Sequence, residues 1–212
     1  MTDADLTLYV DSTFASPYAM SAFVALTEKA LPFNIVTLNL EENEHFETTY
    51  SRSSLTRRVP MLSHGDFSLS ESSAISEYLE EVFPAPDYAN VYPFGTRERA
   101  RARQIQAWIR SDFMPIREER STAVIFFKPS DKPLSEAARL CADRLFAAAD
   151  RLIVDGSTHI FGAWCIADTD LALMLNRLLL NGDQVPEKLA RYAHQQWQRG
   201  SVQRWVNQTR ST

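Results

Sequence analysis

Arg58-Val59-Pro60-Met61-Leu62-Ser63-His64-Gly65-Asp66-Phe67-Ser68-Leu69-Ser70-Glu71-Ser72-Ser73 holds three structural signals in sixteen residues. Met61-Leu62-Ser63 and Phe67-Ser68-Leu69 flank His64-Gly65-Asp66, which predicts two strands joined by a tight turn. Pro60 stands at the start of the first strand, a position that tolerates a residue with no N–H. After Ser70-Glu71-Ser72-Ser73, the residues Ala74, Ile75, Tyr78, Leu79 and Val82 recur at helical spacing and predict a helix over 71–82. Upstream, the pattern predicts a strand over 6–10 and a helix over 17–30 with Ala19, Ala22, Phe23 and Leu26 on one face. A second strand over 33–38 and a short polar helix over 42–51 follow. The order is β-α-β-α-β-β-α.

Phe83-Pro84-Ala85-Pro86 ends that half, because two close prolines stop a helix and stiffen a connector. The expected organisation is a first domain over 1–83, a linker over 84–95 and an all-helical domain over 96–212. In the helical half, Ala102, Ile105, Trp108, Ile109 and Phe113 form one apolar stripe. Leu134, Ala137, Ala138, Cys141, Leu145, Ala148, Ala149 and Leu152 form a second. Leu171, Met174, Leu175 and Leu178 form a third. Shorter helices are expected over 186–196 and 199–208.

The 212 residues carry a net charge of −5, which argues against a nucleic-acid binder or an anionic membrane as partner. Two cysteines, Cys141 and Cys165, make no C-x-x-C and no zinc spacing, so no metal is expected, and lone thiols suit a reducing compartment. The acidic N-terminus shows no signal peptide and the chain no membrane span, so the expected location is cytoplasmic.

Three motifs could carry chemistry. In Phe14-Ala15-Ser16-Pro17-Tyr18, serine is a favoured helix N-cap and proline a favoured first helical residue. Ser16 therefore stands where backbone N–H groups and the positive helix end point outward. A free thiol has a pKa of about 8.5, and one charge-assisted hydrogen bond is worth about 1.5–3 kcal/mol. Such a bond would lower the pKa of a thiol held there by about one to two units, enough to make it mostly anionic near neutral pH. The alternative is a plain structural cap. In Arg58-Val59-Pro60, a cis bond would turn the Val59 N–H and C=O outward to pair an extended peptide-like ligand; an ordinary trans proline entering an edge strand is the alternative. Glu71 and Ser72 offer a carboxylate and a hydroxyl beside free helix N–H groups, which together suit an amino-acid head group. A capping cluster would have the same residues.

Taken in this order, Ser16, Val59-Pro60 and Glu71-Ser72, continuing Ala74-Ile75-Ser76-Glu77-Tyr78-Leu79, resemble the thioredoxin-like domain of glutathione transferases. Length, proline link and helical second half extend the resemblance over essentially the whole chain, and within the family it is most similar to the bacterial YfcF-type branch. The resemblance implies an α+β thioredoxin-like domain followed by an all-α helical bundle. Ser16 would be the catalytic residue, donating to the glutathione sulfur. Val59-Pro60 would pair with the cysteinyl part, and Glu71 and Ser72 would hold the γ-glutamyl end. Arg58 stands where relatives often carry Lys beside the ligand, and His45 where some classes reach the glycyl carboxylate. His45 also reads as a plain surface residue of a polar helix.

The implied function is transfer of glutathione, a substrate rather than a cofactor, to a small hydrophobic electrophile held by the second domain. Glutathione peroxidase activity and homodimerisation come with the resemblance. A glutathione-dependent isomerase or dehalogenase would share every residue named, and a non-enzymatic glutathione-binding protein is the rival from another class. Ser16-Pro17-Tyr18-Ala19 occupies the C-x-x-C position of the wider fold without cysteine, which excludes dithiol exchange there. The family's Ser/Thr-x-x-Asp capping box reads here as Cys165-Ile166-Ala167-Asp168, so Asp168 is expected to carry that helix start at a cost of about 1 kcal/mol or more on truncation. Arg97, Arg99, Arg101 and Arg103 crowd another helix start, either as a solvated face paired with Glu98 or as a subunit interface or cleft rim.

Overall fold

Four strands, β1 (Leu6–Asp11), β2 (Asn34–Leu38), β3 (Met61–His64) and β4 (Phe67–Ser70), form one sheet in the order β2-β1-β3-β4 in the computed structural model, which describes residues 5–210. β2 runs parallel to β1, whereas β3 is antiparallel to both β1 and β4. With helices α1 (Pro17–Glu28), α2 (Thr48–Ser51) and α3 (Ser72–Val82), this is the expected thioredoxin-like order. Alternation along β1 sends Leu6, Leu8 and Val10 into the core with no exposed surface. α1 buries Ala22, Phe23 and Leu26 and packs beside α3, whose Ile75 and Leu79 face inward.

Local competition changes some boundaries. The polar segment over 42–51 is not one helix but a 3-10 turn, Glu44–Phe46, followed by α2. Asn39 Oδ1 accepts from the N–H groups of Glu41 and Glu42, and Glu44 Oε2 accepts from Asn39 N, so side chains take the donors a helix would need. Asn43 is left-handed, with φ 61°. α1 stops at Glu28 because Ala30 also turns left-handed, at φ 52°.

Contacts divide the chain into a first unit, running to Val91 and taking in the segment from Ser201 on, and a second unit, Tyr92–Gly200. Within the first, Lys29 is buried and gives its ammonium to Glu80 at 2.8 Å, Phe83 O at 2.8 Å and Ala89 O at 2.9 Å. Glu80 also accepts from Val91 N at 3.0 Å. A buried charge is tolerable only when paired and hydrogen-bonded in this way, and here the pairing fixes the linker to the end of α3. The C-terminal helix α10 (Gly200–Val206) places Trp205, wholly buried, edge-on to Phe14 at 5.2 Å and against Phe23 at 5.3 Å.

The second unit is helical: α4 (Thr96–Ser111), α5 (Met114–Glu119), α6 (Ala123–Phe126), α7 (Glu136–Leu152), α8 (Ile166–Leu179) and α9 (Glu187–Trp197). Among its described residues there is no strand, only an isolated bridge between Phe161 and Ala163. The three apolar stripes fall on α4, α7 and α8, except that Phe113 lies beyond the end of α4 and Leu134 before the start of α7. The short α5 and α6 have too few residues to show a period and were not expected. α8 is buried all round from Ile166 to Leu178, packed by α4, α5, α6 and α9, so its stripe was only the part of its core written in apolar residues. Several of its buried polar groups are bonded: Asp170 accepts from Gln106 and Arg110, and Arg177 donates to Arg120 O, while Asn176 Oδ1 is buried without a hydrogen-bond partner.

At the start of α8 the Asp168 carboxylate, with no exposed surface, accepts from Cys165 N at 2.9 Å, Ile160 N at 2.9 Å and the Tyr192 hydroxyl at 2.7 Å. The capping box is present, with cysteine as its cap. Arg99 donates to Pro93 O, Arg101 to Gln104, and Arg103 lies 6.0 Å from the Tyr92 ring, so much of the arginine run is used locally on α4. No helix among the described residues is long and apolar enough to cross a membrane.

Candidate functional site

Sheet register gathers the three motifs at one end of the first unit. Asp11, the last residue of β1, lies opposite Leu38, the last of β2, and Tyr9 opposite Met61, the first of β3. Met61 in turn lies opposite Ser70, the last of β4. The segments beyond those strand ends therefore leave the sheet on the same side: 12–16 before α1, 39–46 after β2, 56–60 before β3 and 71–72 before α3.

Ser16 caps α1 with extended backbone, φ −68° and ψ 118°, and Pro17 is the first helical residue, as expected. Its hydroxyl oxygen accepts from Ala19 N at 3.2 Å. A hydroxyl has one proton and two lone pairs, so capping uses an acceptor and leaves the proton available to a ligand. Capping and thiol activation are thus compatible on one side chain. The loop leading to it is held by Asp11, a residue not singled out in the sequence. Its carboxylate accepts from Thr13 Oγ1 at 2.6 Å, Ala15 N at 2.7 Å and Ser16 N at 3.1 Å.

A cavity of about 590 Å³ opens beside the cap, lined by Ser16, Pro17, Tyr18, His45, Arg58 and Val59 among others. It brings together four of the seven expected site residues. Arg57 and Thr56 add to its wall and were missed, the one because it read as a generic charge, the other because threonine carries no motif. Arg57 is left-handed at φ 52°. Two guanidinium groups and the α1 N-terminus give the cavity a positive field suited to an anionic ligand. His45 Nδ1 and Thr56 Oγ1 are buried there without a hydrogen-bond partner. An unsatisfied buried polar atom costs about 1–3 kcal/mol, which a carboxylate-bearing ligand would recover. His45 stacks on Phe46 at 4.1 Å, so it belongs to the cavity wall rather than to a polar helix face.

The segment before β3 is clamped from beneath. The Tyr50 hydroxyl donates to Arg58 O at 2.7 Å, and burial pushes its phenol above the ordinary value. Val59 packs against the Leu38, Tyr50 and Met61 cluster while lining the cavity. The Val59–Pro60 bond is cis. Pro60 is buried behind it and does not line the cavity.

Glu71 and Ser72 lie outside the cavity lining, at the joint between β4 and α3. Glu71 is exposed and left-handed, with φ 73° and ψ 114°, and serves as the N-cap position without a side-chain capping bond. Its carboxylate is therefore not committed to the helix, contrary to a capping role. Ser72 is buried as the first helical residue. Strain at Glu71 is of the kind stored where a ligand is clamped.

Comparisons with known proteins bear on the family and the fold. Residues 12–87 match the family model "Glutathione S-transferase, N-terminal domain", and residues 95–210 match "Glutathione S-transferase, C-terminal domain". A solved glutathione transferase homolog from Burkholderia gl BGR1, with bound glutathione, is 54% identical, with a TM-score of 0.80 over 95% of this chain and 96% of that one. Glutathione S-transferase theta-3 of Mus musculus is 32% identical over 103 residues, 49% of this chain and 41% of the relative, so the match spans about two fifths of that relative's length. Maleylacetoacetate isomerase of Dictyostelium discoideum is 28% identical over 88% of this chain and 85% of its own.

Proposed function

Because the chain belongs to the glutathione S-transferase family, we propose that it binds glutathione at the Ser16 cavity and transfers it to small hydrophobic electrophiles. The observation that carries this reading is Ser16 itself: its oxygen caps α1, its proton is available, and it lines a cavity of positive field. Glutathione would lie along Val59, with its γ-glutamyl end at Glu71 and Ser72 and its glycyl carboxylate near His45, Thr56, Arg57 and Arg58. Its thiol proton leaves to solvent, and Ser16 and the α1 N-terminus hold the thiolate. The thiolate then forms a bond to an electrophilic carbon, whose displaced bond takes its electron pair away. The protein supplies position and charge. Peroxide reduction by the same thiolate, the YfcF-type branch, homodimerisation and a reducing cytoplasmic setting belong to the proposal. The last is supported by two buried, unpaired thiols, Cys141 and Cys165.

The isomerase relative supports a second reading, in which the same thiolate adds to an unsaturated substrate and leaves again. Conjugation consumes one glutathione per turnover and isomerisation returns it, so the stoichiometry separates the two. Ser16→Ala should lower turnover at least about tenfold while calorimetry still detects glutathione binding. Equal activity of the variant at about pH 6.5, where a free thiol is mostly protonated, removes Ser16 from the role. Glu71→Ala or Ser72→Ala should instead weaken glutathione binding about tenfold or more.

A further inference from the structure

We propose that Asp11 is a positioning residue that holds the Ser16 loop in the form that turns the hydroxyl toward the ligand sulfur. This inference rests on the reading of Ser16 as the sulfur contact. Asp11 is 4% exposed at the end of β1, and three of the next five residues donate to it. Thr13 Oγ1 and Ala15 N share Oδ2, while Ser16 N donates to Oδ1. The two carboxylate oxygens thus fix the loop at two separate points, and the second point is the backbone of the serine. Between them Phe14 is left-handed at φ 48°, a conformation a bulky residue keeps only when its surroundings impose it. Those surroundings are Asp11, whose carbonyl accepts from Phe14 N at 3.0 Å, and Trp205, which meets the Phe14 ring edge-on. Arg210, whose guanidinium also donates to Val206 O and Gln208 O, is close enough to Asp11 for their charges to attract. The C-terminal segment of the first unit therefore braces the serine loop from one side while the carboxylate ties it from the other.

A plain cap is tied differently: Ser135 caps α7 by its hydroxyl, accepting from Ala138 N, and donates both its backbone N–H and that hydroxyl to the half-buried Glu119. At Ser16 only the backbone is tied to a carboxylate, which leaves the hydroxyl proton unclaimed by it.

Asp11→Asn tests the proposal with little change in volume. An amide has one acceptor oxygen, so a donor must face either Ser16 N–H or the Thr13 and Ala15 pair. We expect a folded variant whose kcat for glutathione transfer falls at least about tenfold, with KM for glutathione within about threefold. The ultraviolet thiolate absorbance of bound glutathione at fixed pH should fall in parallel. Thr13→Val removes a single bond to Oδ2 and should lower kcat about threefold in the same pattern. Ser12→Ala, whose side chain takes no part, should match the wild type. A folded Asp11→Asn with kcat within about threefold and unchanged thiolate absorbance overturns the proposal. So does Thr13→Val at wild-type kcat, a result that decides even if Asp11→Asn does not fold. If Ser16→Ala loses activity and the Asp11 and Thr13 variants do not, this inference alone fails. If Ser16→Ala itself is fully active, the reading of Ser16 fails with it.

Discussion

Two helices of this protein, α1 and α8, begin under a buried aspartate that gathers backbone N–H groups, and the two starts serve different ends. At α1, Asp11 ties the loop ahead of the cap, and the cap residue Ser16 stands half-buried at a cavity. At α8, Asp168 is itself inside the helix and reaches back to the cap N–H, to Ile160 N and across to Tyr192. Its cap, Cys165, is 1% exposed, and burial first, then the Asp168 charge, push its thiol far above the ordinary range. One joint keeps a polar hydrogen accessible, whereas the other hides every polar group it has. The same chemical device, a carboxylate collecting donors, thus makes either a presenting site or a sealed one. What decides is whether the carboxylate binds the cap's flanks or closes over the cap.

If this division is right, damage at the two starts should appear in different measurements. The largest effect is expected at Asp168. Asp168→Ala would leave two backbone N–H groups buried without partners and the Tyr192 phenol with only its 3.4 Å bond to the backbone carbonyl of that residue, at about 1–3 kcal/mol for each orphaned group. We expect a loss of about 3–5 kcal/mol, seen as a melting temperature lower by at least about 6 °C. The sequence pattern alone set only a floor of about 1 kcal/mol, because it showed the capping bond and not the other two. Turnover per folded molecule should stay within about twofold of wild type. A fall in turnover without a fall in melting temperature would erase the contrast.

Tyr192→Phe comes next, removing one donor to the carboxylate at a cost of about 1.5–3 kcal/mol near neutral pH. Burial, followed by the neighbouring Asp168 charge, raises the Tyr192 phenol well above its ordinary value. The folded state therefore keeps a proton that the unfolded chain loses near pH 10. The stability is fully present below about pH 10 and is lost as pH rises beyond it toward the folded value. Denaturant melts from pH 8 to 11 should show this decline in the wild type and a flatter curve in Tyr192→Phe. An equal decline in both would mean that Tyr192 is not the group that titrates.

The same contrast explains what could be read from sequence. Local signals were legible: the Ser16-Pro17 start, the turn at Gly65-Asp66, the proline at the head of β3 and the strand and helix order all appear where expected. Such features depend on the backbone chemistry of adjacent residues. Asp11 was not legible, because an aspartate ending an apolar strand is also a routine strand terminator, and its role depends on how the loop folds back. Lys29 and Glu80 were equally silent, since a buried ion pair across 51 residues has no local period. Cavity membership of Arg57 and Thr56 depends on the left-handed turn at 57, which no motif announces. The polar segment over 42–51 misled for the opposite reason: its helix-compatible composition was overruled by Asn39 and Glu44 bonding to nearby N–H groups.

At α1 the expected magnitudes are reversed. Ser16→Ala, which should cost at least about tenfold in turnover, removes one capping bond and should lower stability by only about 1 kcal/mol. Calorimetric melting of Ser16→Ala beside Asp168→Ala gives the comparison directly. A Ser16→Ala variant as destabilised as Asp168→Ala would make Ser16 a structural residue first.

The smallest effect, and the sharpest test of the sealed start, is Cys165→Ser. Serine is among the best N-caps, and Asp168 already satisfies the cap N–H, so the substitution exchanges a weak sulfur acceptor for a stronger oxygen one at the first turn. Against that stands the loss of a buried sulfur for a smaller, more polar oxygen in a site with 1% exposure. The two terms oppose each other at about 1 kcal/mol each, so the melting temperature should move by no more than about 4 °C. The informative readout is pH. In the folded wild type the thiol stays protonated far into the alkaline range, while in the unfolded chain it ionises near pH 8.5–9. Stability should therefore fall from about pH 9 in the wild type, one step before the Tyr192 decline, whereas serine has no proton to lose there. Cys165→Ser should stay flat up to about pH 10. A wild-type curve that is already flat between pH 9 and 10 would show that the thiol is not sealed, and the two helix starts would then differ in degree rather than in kind.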